Sequence, residues 1–250
     1  VSVVILLRHG QSTANVAGIL AGRSPDVFLN EKGLEQAEAV AARLSGITLD
    51  AVVSSPMERC RQTVAPLAAA AGLTVRIEPR IAEVDYGEWT GRELKDLGGE
   101  KLWQTVQSHP SAAVFPGGEG LAQVSVRAVG AIRDLCDELG PDSVILVCSH
   151  GDVIKAVLAD ALGLHLDGFQ RIVVAPASLS VIRYTPMRPF VERVNDSGEL
   201  GSLRPPPKPT PSPGAGTNSS DGPRVQETSG GRHQAGPDTS SDAVPGGIAG

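Results

Sequence analysis

Two short apolar runs, each ending in a His-Gly pair, constrain this chain more than any other feature. Val3-Val4-Ile5-Leu6-Leu7 leads into Arg8-His9-Gly10, and Ser143-Val144-Ile145-Leu146-Val147-Cys148 leads into Ser149-His150-Gly151. Branched apolar residues in an unbroken run read as a strand buried on both faces, and such strands belong to sheets covered by helices. In an open α/β sheet the ligand crevice lies where the strands end. Both histidines are therefore expected at the same edge of one sheet, on rigid elements.

Strand and helix patterns alternate over the first two hundred residues. A strand over 3–8 is followed by a loop through Asn30. Asn30 then caps a helix whose apolar face is Leu34, Ala37, Ala41 and Leu44. Ala51-Val52-Val53-Ser54 is a strand, and Pro56 starts a helix that Gly72 stops. Pro66 should kink that helix or break it. A short strand covers 74–77, and 88–118 reads as irregular with one helix across 93–107. Helix 119–139, strand 143–148 and helix 152–162 come next, and 177–184 with 190–194 form a closing antiparallel pair. The expected fold is α/β: three αβα layers, the sheet mostly parallel, with helices on both faces. Beyond Arg204 the pattern stops. Pro, Gly and Ser make up about half of 205–250, the composition of a disordered tail. The expected organisation is one domain over 1–204 and a tail over 205–250.

Composition excludes several classes of function. The net charge of −6 disfavours nucleic acid and anionic membranes as partners. No apolar stretch is long enough to span a bilayer, so no transmembrane helix is expected, and the first apolar run is too short for a signal peptide and has no basic segment before it. Cys60, Cys136 and Cys148 are odd in number and have no CxxC spacing, which suits reduced thiols in a cytoplasmic protein.

The chemistry follows from what gathers at the strand ends. Arg8, His9 and Asn15 come from the first strand and its loop, and Arg59 from the helix after the second. His150 and the Gly151 amide come from a third strand end. The set holds cations, imidazoles and amides without an anion, so it suits a dianion such as phosphate. An imidazole with one ring nitrogen held as a donor can attack phosphorus through the other. A leaving alkoxide then needs an acid, and Glu83, Asp85 and Glu88 cluster in Ile81–Gly91. Arginines are poor neighbours for a metal, so no metal or other cofactor is expected. Arg61 reads as a salt-bridge partner, Arg23 as either a substrate contact or a solvated loop residue, and Trp89 and Trp103 as packing residues.

The chain resembles the histidine phosphatase superfamily, with its phosphoglycerate mutase-like fold, over residues 3 to about 200. Five blocks in order carry the likeness: Arg8-His9-Gly10 with Asn15, Ser54 to Arg59 to Thr63, Glu83 through Gly91, Pro116-Gly117-Gly118-Glu119, and Ser149-His150-Gly151. The opening segment is also similar to actinobacterial members labelled phosphomutases. The resemblance implies that His9 becomes phosphorylated, that Arg8, Arg59 and His150 bind the phosphoryl group, and that Asn15 supports them. It implies Glu83 as the proton donor and later as the base toward water. Its substrates are small phosphorylated metabolites, and homodimers occur among its members.

Three activities fit that resemblance: phosphatase, phosphoglycerate mutase-like transferase, and protein-phosphohistidine or regulatory phosphatase. Family mutases carry adjacent arginines after the Glu block and a Trp just before the Asn. Here 92–118 offers only Arg92, Lys95 and Lys101, and Ala14 precedes Asn15. The short insertion between Glu83 and Pro116 favours water access and an uncharged or apolar leaving group. Metal-independent hydrolysis through phospho-His9 is the expected reaction.

Overall fold

A computed structural model describes residues 1–198. The expected tail over 205–250 lies outside the described residues. Six strands form one sheet in the order β3-β2-β4-β1-β5-β6. They are β1 (Ser2–Arg8), β2 (Ala51–Ser54), β3 (Val75–Ile77), β4 (Val144–Ser149), β5 (Leu179–Tyr184) and β6 (Pro189–Asp196). The first four in that order pair in parallel, and β5 and β6 close one side antiparallel.

The apolar runs are buried on both faces because each face has its own helical layer. Along β1, Val4 and Leu6 point into one cluster with Val153, Val157 and Ile132. Ile5 and Leu7 point into the other with Val40, Leu44 and Val64. The first cluster is covered by α6 (Leu121–Leu139) and α7 (Gly151–Ala161), the second by α2 (Glu31–Leu44) and α3 (Glu58–Ala71). This is the expected three-layer αβα arrangement. Adjacent strands β1 and β4 thus feed helices on opposite faces, the geometry that opens a crevice at strand ends. Their register pairs Arg8 with Ser149, so His9 and His150 leave the sheet side by side. The His9 amide donates to the Ser149 carbonyl at 3.0 Å.

Four local expectations are corrected. The loop after β1 contains a short helix, α1 (Thr13–Ala17), because Ser12 and Asn15 close a capping box at its start. Pro66 does not break α3, which runs through it; Pro66 stands at a half-buried position, where a helix has room to bend. The single helix across 93–107 is two, α4 (Leu94–Leu97) and α5 (Lys101–Ser108), divided at Gly98-Gly99. Leu34 is 49% exposed rather than on the buried face. Gly33 takes the inward place at that end of α2, because a Cβ there would overlap the Gln11 carbonyl oxygen. That close approach rotates α2 and presses it against the loop carrying His9. Asn30 caps α2 as expected, accepting from the Gly33 amide at 2.8 Å. Among the described residues no helix is long and apolar enough to cross a membrane.

Candidate active site

His9 is 3% exposed at the end of β1. Its Nδ1 lies 2.7 Å from the Gly10 carbonyl. A carbonyl only accepts, so Nδ1 carries the proton and Nε2 keeps its lone pair. Burial, then the nearby Arg59 and Arg8 guanidinium groups, holds the imidazole well below its usual range and therefore neutral. The turn beyond it is pinned from α3. Thr63 Oγ1 accepts from the Gly10 amide at 2.9 Å and donates to the Arg59 carbonyl at 2.6 Å.

Arg59 and His150 face His9 from α3 and from the end of β4. The two imidazole centroids are 5.3 Å apart. Arg59 Nη2 donates to the Gly22 carbonyl at 2.9 Å and to His150 Nδ1 at 3.2 Å. Because a guanidinium only donates, the His150 proton sits on Nε2, which donates to Ser55 Oγ at 2.7 Å. Burial first, then Arg59, holds His150 well below its usual range as well.

Glu83 completes the pocket. Its Oε2 is 4.0 Å from Arg59 Nη2 and 3.6 Å from His150 Nδ1, and its Oε1 accepts from the Val84 amide at 2.9 Å. An arginine so close favours the carboxylate, but burial outweighs it and raises the carboxyl to about 7. A group with that value can hold a proton at neutral pH and give it up during a reaction. Of the two rival carboxylates, Asp85 is tied to Arg23 at 3.8 Å and Glu88 is exposed.

The pocket is a small cleft with a cavity volume of about 20 Å³. His9, Arg59, Glu83, Asn15 and Ser12 supply its polar wall, and Ile19, Leu20, Ala21 and Leu94 its apolar one. Asn15 Oδ1 is taken by the Ser12 amide and hydroxyl, both at 2.9 Å, so its Nδ2 is the donor left to face a ligand. Arg8 and Gly151 stand behind this wall. Arg8 is fully buried with Nη1 on the Val174 carbonyl at 2.6 Å, and burial lowers it to about 10. Gly151 opens α7.

Sequence reasoning missed the clamp that holds the acid. Arg23 Nε and Arg127 Nη2 both donate to the Glu83 carbonyl, at 2.8 and 3.2 Å. Glu119 Oε1 joins them, accepting from Arg23, Arg127 and the Asp85 amide at 2.7–2.8 Å. Arg23 is therefore spent on this clamp rather than free in solvent. The Pro116–Glu119 block signals the clamp, while Arg127, one polar position on α6 among several, carries no mark in sequence. The clamp also explains Gly87. Its φ is +52°, and a Cβ there would overlap the Pro116 carbonyl oxygen. Gly87→Ala is expected to cost about 1–3 kcal/mol of stability, read as a lower urea midpoint with an unchanged slope. Arg61 pairs with Glu58 at 3.2 Å on the surface, and Trp89 and Trp103 pack together at 6.3 Å, as expected.

The model of the histidine phosphatase superfamily, branch 1, matches residues 4–197. The chain belongs to this superfamily. It is similar to phosphoserine phosphatase 1 of Hydrogenobacter thermophilus, at 34% identity over 80% of this chain and 95% of the relative. It is also 34% identical to "Probable phosphoglycerate mutase" of Yersinia pestis, over 72% of this chain and 84% of that one. Among solved structures, the alpha-ribazole phosphatase of Shigella flexneri superposes with a TM-score of 0.70 at 27% identity, over 78% of this chain and 96% of that one. Membership of this family, with named phosphatases among its relatives, makes the chain an enzyme of phosphomonoester hydrolysis.

Proposed function

We propose that the histidine phosphatase domain, over 1–204, hydrolyses small phosphorylated metabolites in two steps through phospho-His9. One observation carries this reading: a neutral, correctly oriented His9 shares a pocket with a carboxyl, Glu83, raised to about 7. In the first step the His9 Nε2 lone pair attacks phosphorus. The bond to the leaving oxygen breaks, and that oxygen takes the Glu83 proton. In the second step water attacks the phosphoryl group, Glu83 takes the water proton, and the P–N bond returns its electrons to Nε2. Arg59 and the Asn15 amide hold the phosphoryl oxygens from the pocket wall, and Arg8, His150 and the Gly151 amide, set just behind it, support them where charge accumulates.

Hydrolysis is favoured over mutase chemistry by the pocket wall. Arg59 is the one cation lining it among the described residues, and a phosphoglycerate carboxylate needs another. Arg92 and Lys95, near Leu94 in the chain, are paired with Glu100 and Glu93, and Arg23, next to Gly22, is engaged by Glu119 and the Glu83 carbonyl. The reading also places the enzyme in the cytoplasm, with Cys60, Cys136 and Cys148 as free thiols, and allows a homodimer.

The test is inorganic phosphate release from an aryl phosphate and a panel of alkyl phosphates, in EDTA, across pH. Release should persist in EDTA, and kcat/KM should fall above pH about 7 as the free enzyme's Glu83 loses its proton. The corresponding limb in kcat should lie at higher pH, because the bound dianion holds that proton more firmly. Dependence on an added divalent metal, or no release from any ester, contradicts the reading.

A further inference from the structure

Behind the pocket lies a charged cluster with no part in the two steps above. Tyr86, Asp152 and Lys155 are all at most 2% exposed. Asp152 Oδ2 accepts from the Tyr86 hydroxyl at 2.8 Å. Lys155 Nζ is 3.5 Å from Asp152 Oδ1 and donates to Gln170 Oε1 at 3.1 Å. It also lies 5.8 Å from the centroid of the buried Phe169 ring. Burying an ammonium and a carboxylate costs several kcal/mol per ion, and apolar residues of the same size would pack as well or better. The cluster is therefore poorly explained as packing alone.

Its geometry ties it to the reaction. The Tyr86 ring lines the pocket with His9, Arg59 and Glu83. Asp152 sits in the first turn of α7, directly after His150 and Gly151. The groups around Glu83 are Arg59 from α3, Arg8 and His9 from β1, His150 from β4 and Tyr86 from its own segment. Arg23 and Arg127 bind its carbonyl. The neighbouring carboxylates Asp85 and Glu119 are engaged by those arginines. Burial is the main cause that raises Glu83, and among the charged groups Asp152 acts in the same direction, against Arg59 and Arg8.

We propose that Asp152 is a positioning residue for the proton-transfer step: its buried carboxylate, braced by Lys155, fixes Tyr86 against the pocket and sets a negative charge behind Glu83. That charge adds to burial in keeping the proton on Glu83 until the leaving oxygen takes it. The proposal rests on Glu83 as the acid.

The experiment is the pH dependence of kcat/KM for two substrates, an alkyl phosphate and p-nitrophenyl phosphate. An alkoxide must be protonated as it leaves, whereas p-nitrophenolate leaves without help. With Asp152→Asn, the alkaline limb for the alkyl phosphate should move down by about one unit, while kcat/KM for p-nitrophenyl phosphate changes little. A limb that stays in place, or an equal loss on both substrates, overturns the proposal. If Asp152→Asn does not fold, the double variant Asp152→Asn with Lys155→Met leaves no unpaired buried ion. Its limb should still lie below that of the wild type, and a wild-type limb overturns the proposal. Glu83→Gln is the control. Persistence of the alkaline limb in that variant refutes the acid assignment itself, which is a different failure from an unmoved limb in the Asp152 variants.

Discussion

His9→Ala is expected to abolish phosphate release from every phosphomonoester, to below one part in about 10⁴ of the wild-type kcat/KM. No other group can take over. His150 is the nearest imidazole, but its Nε2 is spent on Ser55 and its Nδ1 accepts from Arg59. The cysteines beside the site offer nothing better: Cys60 and Cys148 are fully buried, and burial pushes the Cys148 thiol well above its usual range. The substitution should leave inorganic phosphate binding measurable by calorimetry, because Arg59 and Asn15 remain on the wall. Retained turnover in His9→Ala would mean that phosphorus is attacked by something else.

Glu83→Gln is expected to lower kcat/KM for an alkyl phosphate by about 10²–10⁴-fold, the usual contribution of a general acid. Gln keeps the shape of the side chain and an oxygen for the Val84 amide, so the loss should come from the missing proton rather than from misplacement. The effect should shrink when the leaving group is p-nitrophenolate, because kcat/KM then reports a first step that needs no acid. The alkaline limb near pH 7 should vanish in the same variant. Steady-state kinetics on the two substrates checks both points, and an equal loss on each would assign Glu83 to structure.

The part of this site carried by strands was legible in the sequence, because a strand end fixes where its next residue lies. Two apolar runs placed His9 and His150 together, and the β1–β4 register delivers them at adjacent positions. Arg59 and Glu83 required the block pattern, since neither a helix start nor a loop carboxylate announces its direction. Arg8 is expected from the block pattern to bind the phosphoryl group, and its Nη1 donates to the Val174 carbonyl; a strand's alternation alone does not fix how deep an arginine will go. The elements misread are those governed by long-range backbone contact. Leu34 fits the apolar period of α2 as well as Val40 does, but the approach of Gly33 to Gln11 decides which face turns inward. Arg127 and Asp152 look like ordinary helical polar residues, and the packing of α6 and α7 against the Glu83 segment brings Arg127 to the Glu83 carbonyl and Asp152 to Tyr86.

The most direct measurement is to trap the intermediate. The enzyme would be mixed with excess p-nitrophenyl phosphate, quenched in alkali within milliseconds, digested and analysed by mass spectrometry. One phosphoryl group on the peptide bearing His9, labile to acid and absent from His9→Ala, is the predicted result. A phosphoryl group on any other residue, or an unmodified peptide during steady turnover, would contradict covalent catalysis by His9.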